Sequence, residues 1–248
     1  MKVRLFFAAA LAALGLFGNG SAHAADFPEA AELPVVRELP NPLTMLDGTL
    51  VETKEQWETR RKPELKQLFQ HYMYGFLPDA PKVTAKVVSE HQDLFDGKAT
   101  MKQVSLTFGP PECPPVQLLL FTPNKREGNR PAPVVLGLNF TGNHTVLADP
   151  RIALATGWMR EGKGVENHKA TEEGRGASAG GWPIEHIVDR GYAVATIYYG
   201  DILPDKPDFT AGVYPHFQKP GQTEPGPTDW RAIAAIAPRI SSTTSIVV

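Results

Sequence analysis

A serine between two glycines is the first feature of this sequence that could do chemistry. Gly176-Ala177-Ser178-Ala179-Gly180 matches the G-x-S-x-G pattern, in which the serine hydroxyl attacks an ester or amide carbonyl. That chemistry requires a buried strand directly before the serine and a helix directly after it, because the sharp turn between them exposes Oγ. The residues before Ser178 are polar, and the glycines that follow make a poor first helical turn. We therefore predict that Ser178 is a loop residue and not a nucleophile.

No other residue set supplies a better catalytic candidate. The remaining serines considered are Ser89 and Ser105 on predicted strand faces, and Ser241, Ser242 and Ser245 in the C-terminal tail. The 7 histidines show no metal-binding spacing such as H-E-x-x-H, and no phosphate-binding glycine motif occurs. Cys113 is the single cysteine, which excludes an internal disulfide. We predict no catalytic residue, no metal site and no cofactor in this chain.

The N-terminus is typical of an exported protein. Lys2 and Arg4 precede an apolar run, and Ala22-His23-Ala24 is a small-x-small site, so we expect a signal peptide over residues 1–24 that is cleaved before Ala25. The predicted location is periplasmic or secreted. The apolar run is shorter than the roughly 18 residues that span a bilayer, so no membrane span is expected. A net charge of -2 without a basic stripe argues against a nucleic-acid partner.

The first half of the remaining chain predicts an arm and two helices. Residues 25–50 are broken by prolines and predict an extended arm, and residues 51–248 predict one α/β domain. A capping box at Thr53-Lys54-Glu55-Gln56 predicts a helix start, and Pro63 suits the first turn of a second helix, which Gly75 is expected to end. An apolar stripe on the second helix is expected in the core: Leu65, Leu68, Phe69, Tyr72 and Met73.

The pattern then changes to the alternation that is typical of strands. Two alternating runs, at 83–87 and 104–108, flank a turn at Asp96-Gly97, and a third strand follows at 116–124, which predicts an antiparallel meander. The runs 131–140 and 191–200 are apolar on both faces, as in the middle of a parallel sheet.

A short helix with Pro183 near its start provides the crossover that parallel pairing requires. The rest of 141–190 predicts a polar insertion, and 201–228 predicts a long loop. Thr228-Asp229 predicts the cap of a last helix.

Three stretches resemble the bacterial glucuronoyl esterases, which form carbohydrate esterase family fifteen and are also called acetylxylan esterase-like. They are ETKEQWETRRKPELKQLFQHYMYGFLP at 52–78, GLNFTGNHT at 137–145 and RGASAGGWPIEHIVDRGYAVATIYYGDI at 175–202. The resemblance implies an α/β-hydrolase fold and a serine, an acid and a histidine that hydrolyse a 4-O-methyl-glucuronoyl ester. It also implies that the substrate is plant glucuronoxylan or its lignin esters.

The same resemblance implies that this chain corresponds to the N-terminal half of such an enzyme. The family's nucleophile lies in G-[CH]-S-R-x-G-K, which this sequence does not contain, and in the family that motif follows the helix that begins here as TDWRAIAAIA. We expect a chain that stops before the nucleophile, with an aberrant tail at about 236–248, that is inactive alone. The strand at 191–200 is then expected to have one unpaired edge.

The resemblance to the family identifies few site residues in this chain. Phe140, Thr141 and Gly142 follow the first parallel strand, where α/β-hydrolases place a second oxyanion N–H; a simple glycine turn is the alternative.

Two other functions remain open. In the second, the chain is a non-catalytic carbohydrate-binding or interaction protein. Aromatic side chains would then stack on sugars, and the candidates are Trp158, Trp182, Tyr198 and Tyr199. A third possibility keeps Ser178 as a nucleophile in an unusual setting.

Overall fold

The computed structural model describes residues 27–76, 81–125, 130–206 and 208–231. They fall into two units that divide between Asn41 and Pro42. The first unit contains a short 3₁₀ turn, Ala30–Glu32, which Glu29 caps. The predicted signal peptide and the tail from residue 236 lie outside the described residues. The helix predicted after Thr228-Asp229 also lies outside them, except for its first two residues, Trp230 and Arg231. Within the described ranges, no helix has the length and apolar character needed to cross a bilayer.

The two predicted helices form one continuous helical run. It consists of α1 (Lys54–Gln56), a π-helical turn (Trp57–Arg61), α2 (Lys62–Phe69) and a second π-helical turn (Gln70–Tyr74). The capping box at Thr53 is confirmed, since its side chain accepts from Gln56 N and the Gln56 side chain accepts from Thr53 N. Pro63 cannot donate a backbone hydrogen bond, and the helix accommodates it after the π turn rather than by stopping. Gly75 ends the run at φ 79°, as predicted.

The prediction that the apolar stripe on this run is buried in the core was wrong. Phe69 is 48% exposed and Met73 is 60% exposed, while Leu65, Leu68 and Tyr72 are half-buried. Periodicity identifies which residues share a helix face, but it carries no information on what covers that face. In the described part of the chain, nothing covers Phe69 and Met73 fully.

Five strands form the main sheet, in the order β1-β2-β3-β7-β4. Their bounds are β1 (Thr84–Asp93), β2 (Ala99–Thr107), β3 (Val116–Pro123), β4 (Val134–Asn139) and β7 (Ala193–Tyr198); β5 (Val165–Glu166) and β6 (Lys169–Ala170) form a separate hairpin. The meander β1-β2-β3 is antiparallel, as predicted. The turn before β2, at Leu94–Gly97, contains three successive residues with positive φ, of which Gly97 is the last.

The parallel pair is confirmed, but its position in the sheet differs from the prediction. β4 and β7 are parallel in the register Val134↔Ala193 to Asn139↔Tyr198. β7 also pairs with β3, antiparallel, so it lies inside the sheet and is buried along its whole length. Among the described strands, the outer one on this side is β4, where Val135 is 47% exposed. The expectation of an unpaired edge on the 191–200 strand was therefore wrong, because β3 occupies that edge.

The sheet separates two apolar cores. Alternate residues of one strand point to opposite faces, so Leu118 and Leu120 enter one core and Leu119 and Phe121 the other. The loop that follows β7 covers the first core with Tyr214 and Trp230, among others. The crossover helix Ile184–Asp189, predicted from the sequence, covers the second core.

The other short elements are 3₁₀ turns in the insertion and in the loop after β7. They are Asn143–Thr145, Glu172–Gly174, Ala179–Gly181, Tyr199–Asp201 and Tyr214–Phe217.

Candidate functional site

The loop that follows β4 is held by a buried asparagine. Asn139 Oδ1 accepts from Gly142 N at 2.8 Å, while Asn139 Nδ2 donates to Asn143 Oδ1 at 2.7 Å and to Thr196 Oγ1 at 3.1 Å. Asn143 Nδ2 in turn donates to the carbonyl of Gln117 at 2.8 Å. Buried amides that satisfy several groups fix local geometry strongly. The network ties the loop to β7 and β3 at the carboxyl end of the parallel strands, where α/β folds bind ligands.

The three predicted oxyanion-loop residues, which follow Asn139 along the chain, differ in their exposure to solvent. The ring of Phe140 is 75% exposed and lies 5.3 Å from that of Tyr199, centroid to centroid. Thr141 is exposed, and Gly142 is buried at φ 96°. Because the N–H of Gly142 is donated to Asn139, it serves the turn itself. An oxyanion role for this loop stays a prediction.

Ser178 lies in an irregular segment, as predicted. The segment has a 3₁₀ turn before it and another after it, in place of the strand and helix of a nucleophile elbow. Ser178 N donates to the carbonyl of Thr145 at 2.9 Å, and Gly176 N donates to the carbonyl of His144 at 3.0 Å. The hydroxyls of Ser178 and Thr141 are 2.9 Å apart, and those of Thr141 and Thr145 are 2.7 Å apart. The serine therefore docks the insertion on the loop after β4.

His144 is buried in this docking interface. His144 is 1% exposed, and its Nδ1 has no hydrogen-bond partner among the described residues. The ring packs beside Gly142 and Gly174, where a side chain in place of either glycine would collide with it or crowd it. Burial lowers the pKa of His144, and the nearby charge of Arg175 lowers it further. The imidazole is therefore held neutral at pH 7.

A cavity of about 390 Å³ opens beside these residues. We call it the carboxyl-edge cavity, because its walls are the loop after β4, the start of the loop after β7, and the segments 159–165 and 174–178 of the insertion. Phe140, Thr141, His144, Ser178 and Tyr199 all line it. It combines apolar rings, hydroxyls and charged groups, which is the composition of a small-molecule site.

Most of the charged groups of the carboxyl-edge cavity are paired. Arg160 forms an ion pair with Asp205, and a carboxylate oxygen of Glu161 accepts from His168 N at 2.7 Å. Lys163 is exposed, and no carboxylate of the described residues lies within ion-pairing distance of it. The cavity therefore presents one cation that the described protein leaves uncompensated.

Asp201 is a second titratable group near this edge of the sheet. It follows β7 and accepts from Gln117 N at 3.1 Å through Oδ2. Burial raises the pKa of Asp201 to about 6, and the hydrogen bond from Gln117 opposes that shift. Its carboxylate lies outside the walls of the carboxyl-edge cavity, so its role is to fix the start of the loop after β7.

The four aromatic residues of the carbohydrate-binding alternative do not form one surface. Tyr198 is 3% exposed and belongs to β7. Trp182 lies against Gly137 of β4, because a Cβ added to Gly137 would be 3.1 Å from the Trp182 ring. Trp158 stacks on His168 with centroids 4.8 Å apart. Tyr199 is half-buried, and it lines the carboxyl-edge cavity together with Tyr198.

Sequence reasoning missed the two residues that organise this site, Asn139 and His144. A usable signal was the asparagine at the end of an apolar strand, followed by Gly142 and Asn143, because asparagine side chains commonly bond backbone groups a few residues away. His144 carried no signal, since its burial depends on an insertion that is distant in sequence.

The mixed sheet, with two parallel strands joined by a crossover helix, is of the α/β-hydrolase type. The comparisons with known proteins lead to the same class. The chain is 42% identical over 202 residues to a carbohydrate esterase from an unknown prokaryotic organism, a match that covers 80% of this chain and 46% of that protein. No family model matches the chain.

Two solved structures are similar over most of this chain. The glucuronoyl esterase from Solibacter usitatus matches with a TM-score of 0.76 and 38% identity, covering 87% of this chain and 54% of that one. A promiscuous CE15 esterase from a marine bacterial metagenome matches with a TM-score of 0.71 and 39% identity, with coverages of 87% and 54%. The resemblance to carbohydrate esterase family fifteen is thus confirmed, and the chain spans about half the length of the relatives it matches.

Proposed function

We propose that this chain is part of an exported carbohydrate esterase that hydrolyses glucuronoyl esters of plant xylan. The observation that carries the proposal is the fold match to a glucuronoyl esterase at 38% identity, together with the match to a promiscuous CE15 esterase at 39% identity. The described residues support it with a buried network that presents the loop after β4 at the carboxyl edge of the sheet. Ester hydrolysis of this kind requires an activated nucleophile and donors for the oxyanion.

We further propose that these 248 residues alone do not turn over an ester. None of them lies in a G-x-S-R-x-G-K motif, and Ser178 lacks the strand and helix that expose a nucleophile. The hydroxyl of Ser178 is bonded to Thr141, and no histidine of the described residues bonds it. The proposed contribution of this chain is therefore the binding edge and the sheet.

A chimera tests the esterase proposal. Residues 42–231 replace the matching part of the Solibacter usitatus glucuronoyl esterase, and hydrolysis of methyl glucuronate is measured. We expect the chimera to hydrolyse the ester, because the two chains share the fold over this region. A folded chimera without activity would refute the proposal that this half-sheet serves an esterase.

The isolated chain tests the second part of the proposal. Wild-type chain and Ser178→Ala are both expected to leave methyl glucuronate intact. Hydrolysis by the wild type that Ser178→Ala abolishes would establish Ser178 as a nucleophile and overturn the assignment. Export is tested separately, by expressing the chain in a Gram-negative host and sequencing the N-terminus of the periplasmic product, which we expect to begin at Ala25.

A further inference from the structure

We propose that the carboxyl-edge cavity is a subsite for an acidic sugar with a free carboxylate, and that Lys163 selects the acid over its ester. The inference rests on the proposed carbohydrate substrate and adds a distinct ligand form to it. The reacting ester carries no charge at its carbonyl group. An unpaired lysine is therefore suited to a second species, the free acid that hydrolysis of the ester releases.

The distribution of charge in the cavity selects an anion. Its two carboxylates are already engaged, Asp205 with Arg160 and Glu161 with the backbone of His168. The Lys163 ammonium, by contrast, has no carboxylate partner in the described part of the chain. Charge-assisted hydrogen bonds from lysine to a carboxylate are stronger than those between neutral groups. An entering carboxylate gains this interaction without first breaking an ion pair.

The apolar and hydroxyl groups of the cavity select a sugar among anions. Phe140 exposes three quarters of its surface beside Tyr199, and exposed aromatic rings pack against the C–H faces of sugars through apolar contact. The hydroxyls of Thr141 and Ser178, 2.9 Å apart, both donate and accept. A volume of about 390 Å³ suits one or two sugar units.

His144 adds an uncharged wall to this site. Its ring is part of the cavity wall, and burial lowers its pKa from the ordinary value. Its Nδ1, which has no partner among the described residues, lies beside Gly142 and is itself shielded from solvent. This wall therefore adds no further cation beside Lys163.

Calorimetric titration of the full chain tests the proposal with four probes: glucuronate, methyl glucuronate, glucose and inorganic phosphate. We expect glucuronate to bind roughly three- to tenfold more tightly than the ester or glucose, as one charge-assisted contact provides. Lys163→Met is expected to abolish that preference, and Phe140→Ala to weaken all three sugars. Lys86→Met, on the exposed edge strand β1, is the matched control and should change nothing. The preference should also shrink as salt is raised.

Each alternative result overturns a named part of the proposal. Equal binding of acid and ester, or a preference that survives Lys163→Met, removes the role of Lys163. Phosphate that binds as tightly as glucuronate makes this a general anion site. No binding of any probe to a chain with a native circular-dichroism spectrum refutes the subsite altogether. An inactive chimera with intact glucuronate binding would instead refute the esterase proposal and leave the subsite standing.

Discussion

The two glycines of the G-x-S-x-G match are predicted to differ sharply in their tolerance of alanine. Gly176 has φ 71°, and a Cβ on it would lie 2.7 Å from Ala148 Cβ, 3.0 Å from Ala148 Cα and 3.1 Å from Ala148 N. A left-handed conformation costs a residue with a Cβ about 1–2 kcal/mol, and overpacking against backbone adds about 1–3 kcal/mol. Gly180 has open space where a Cβ would go and does not have positive φ.

We therefore expect Gly176→Ala to lower the free energy of unfolding by about 2–5 kcal/mol. Gly180→Ala is expected to leave it unchanged or raise it by up to about 1 kcal/mol, because alanine restricts the unfolded chain. Urea denaturation of the full chain, followed by tryptophan fluorescence, measures both values. A true nucleophile elbow would penalise both substitutions.

The double variant Gly176→Ala with Ala148→Gly keeps this prediction testable if the single variant does not fold. Removing the Ala148 methyl group relieves the 2.7 Å contact, so part of the overpacking loss should be recovered. The contacts with Ala148 Cα and N at 3.0 and 3.1 Å and the φ penalty should remain. Two glycine variants whose unfolding free energies differ by less than about 1 kcal/mol would refute the reasoning.

Three further predictions concern the ends of the parallel strands. Asn139→Leu leaves the N–H of Gly142 unsatisfied in a buried position, so we expect a loss of about 2–4 kcal/mol in urea denaturation. Asp201→Asn keeps an acceptor for Gln117 but removes a carboxyl group whose pKa burial raises to about 6. The folded wild type holds that proton more tightly than the unfolded chain does, so the stability of the wild type falls as pH rises toward 6. Asp201→Asn should therefore be up to about 3 kcal/mol more stable than the wild type at pH 8, and no more stable than the wild type below pH 4. Burial lowers the pKa of His144, so wild-type stability should fall below about pH 6.5 as the unfolded chain binds the proton, and His144→Met should reduce that fall.

Each of these predictions has a contradicting result. Wild-type stability of Asn139→Leu would mean that the turn does not need its amide. A gain for Asp201→Asn at pH 4 as large as the gain at pH 8 would show that the charge is not its source. An unchanged pH dependence in His144→Met would show that another group titrates in its place.

The sequence was sufficient to predict the five strands of the main sheet, because their signals are local, but it did not predict the short β5-β6 hairpin of the insertion. The alternation in β2 and the turn at Asp96-Gly97 depend on neighbouring residues, and the structure confirms both. The choice of partner for β7 is not local. A run that is apolar on both faces shows that a strand is buried, but β3 and β4 meet it from opposite sides for reasons that depend on the whole sheet.

The candidate site was predicted less well for the same reason. Phe140, Thr141 and Gly142 could be placed after a strand, because a strand end is visible in sequence. The amide of Asn139 reaches Thr196, which is 57 residues away, and spacing along the chain does not reveal such a contact. The exposure of Phe69 likewise depends on which element packs on the helix and not on the helix itself.

One guanidinium group helps to fasten the base of the insertion between β4 and β7. Arg175 Nη1 donates to the carbonyls of Asp149 and Ile152 at 2.8 and 2.7 Å, and the same side chain pairs with Glu172. The stretch 153–171 is therefore a loop whose two ends are clamped beside each other. Its length and composition can diverge during evolution while the register of the strands is preserved, because loops are lengthened at small entropic cost. A wall of the carboxyl-edge cavity can thus be exchanged as a module, and lysine is a poor substitute for the arginine that helps to hold its base.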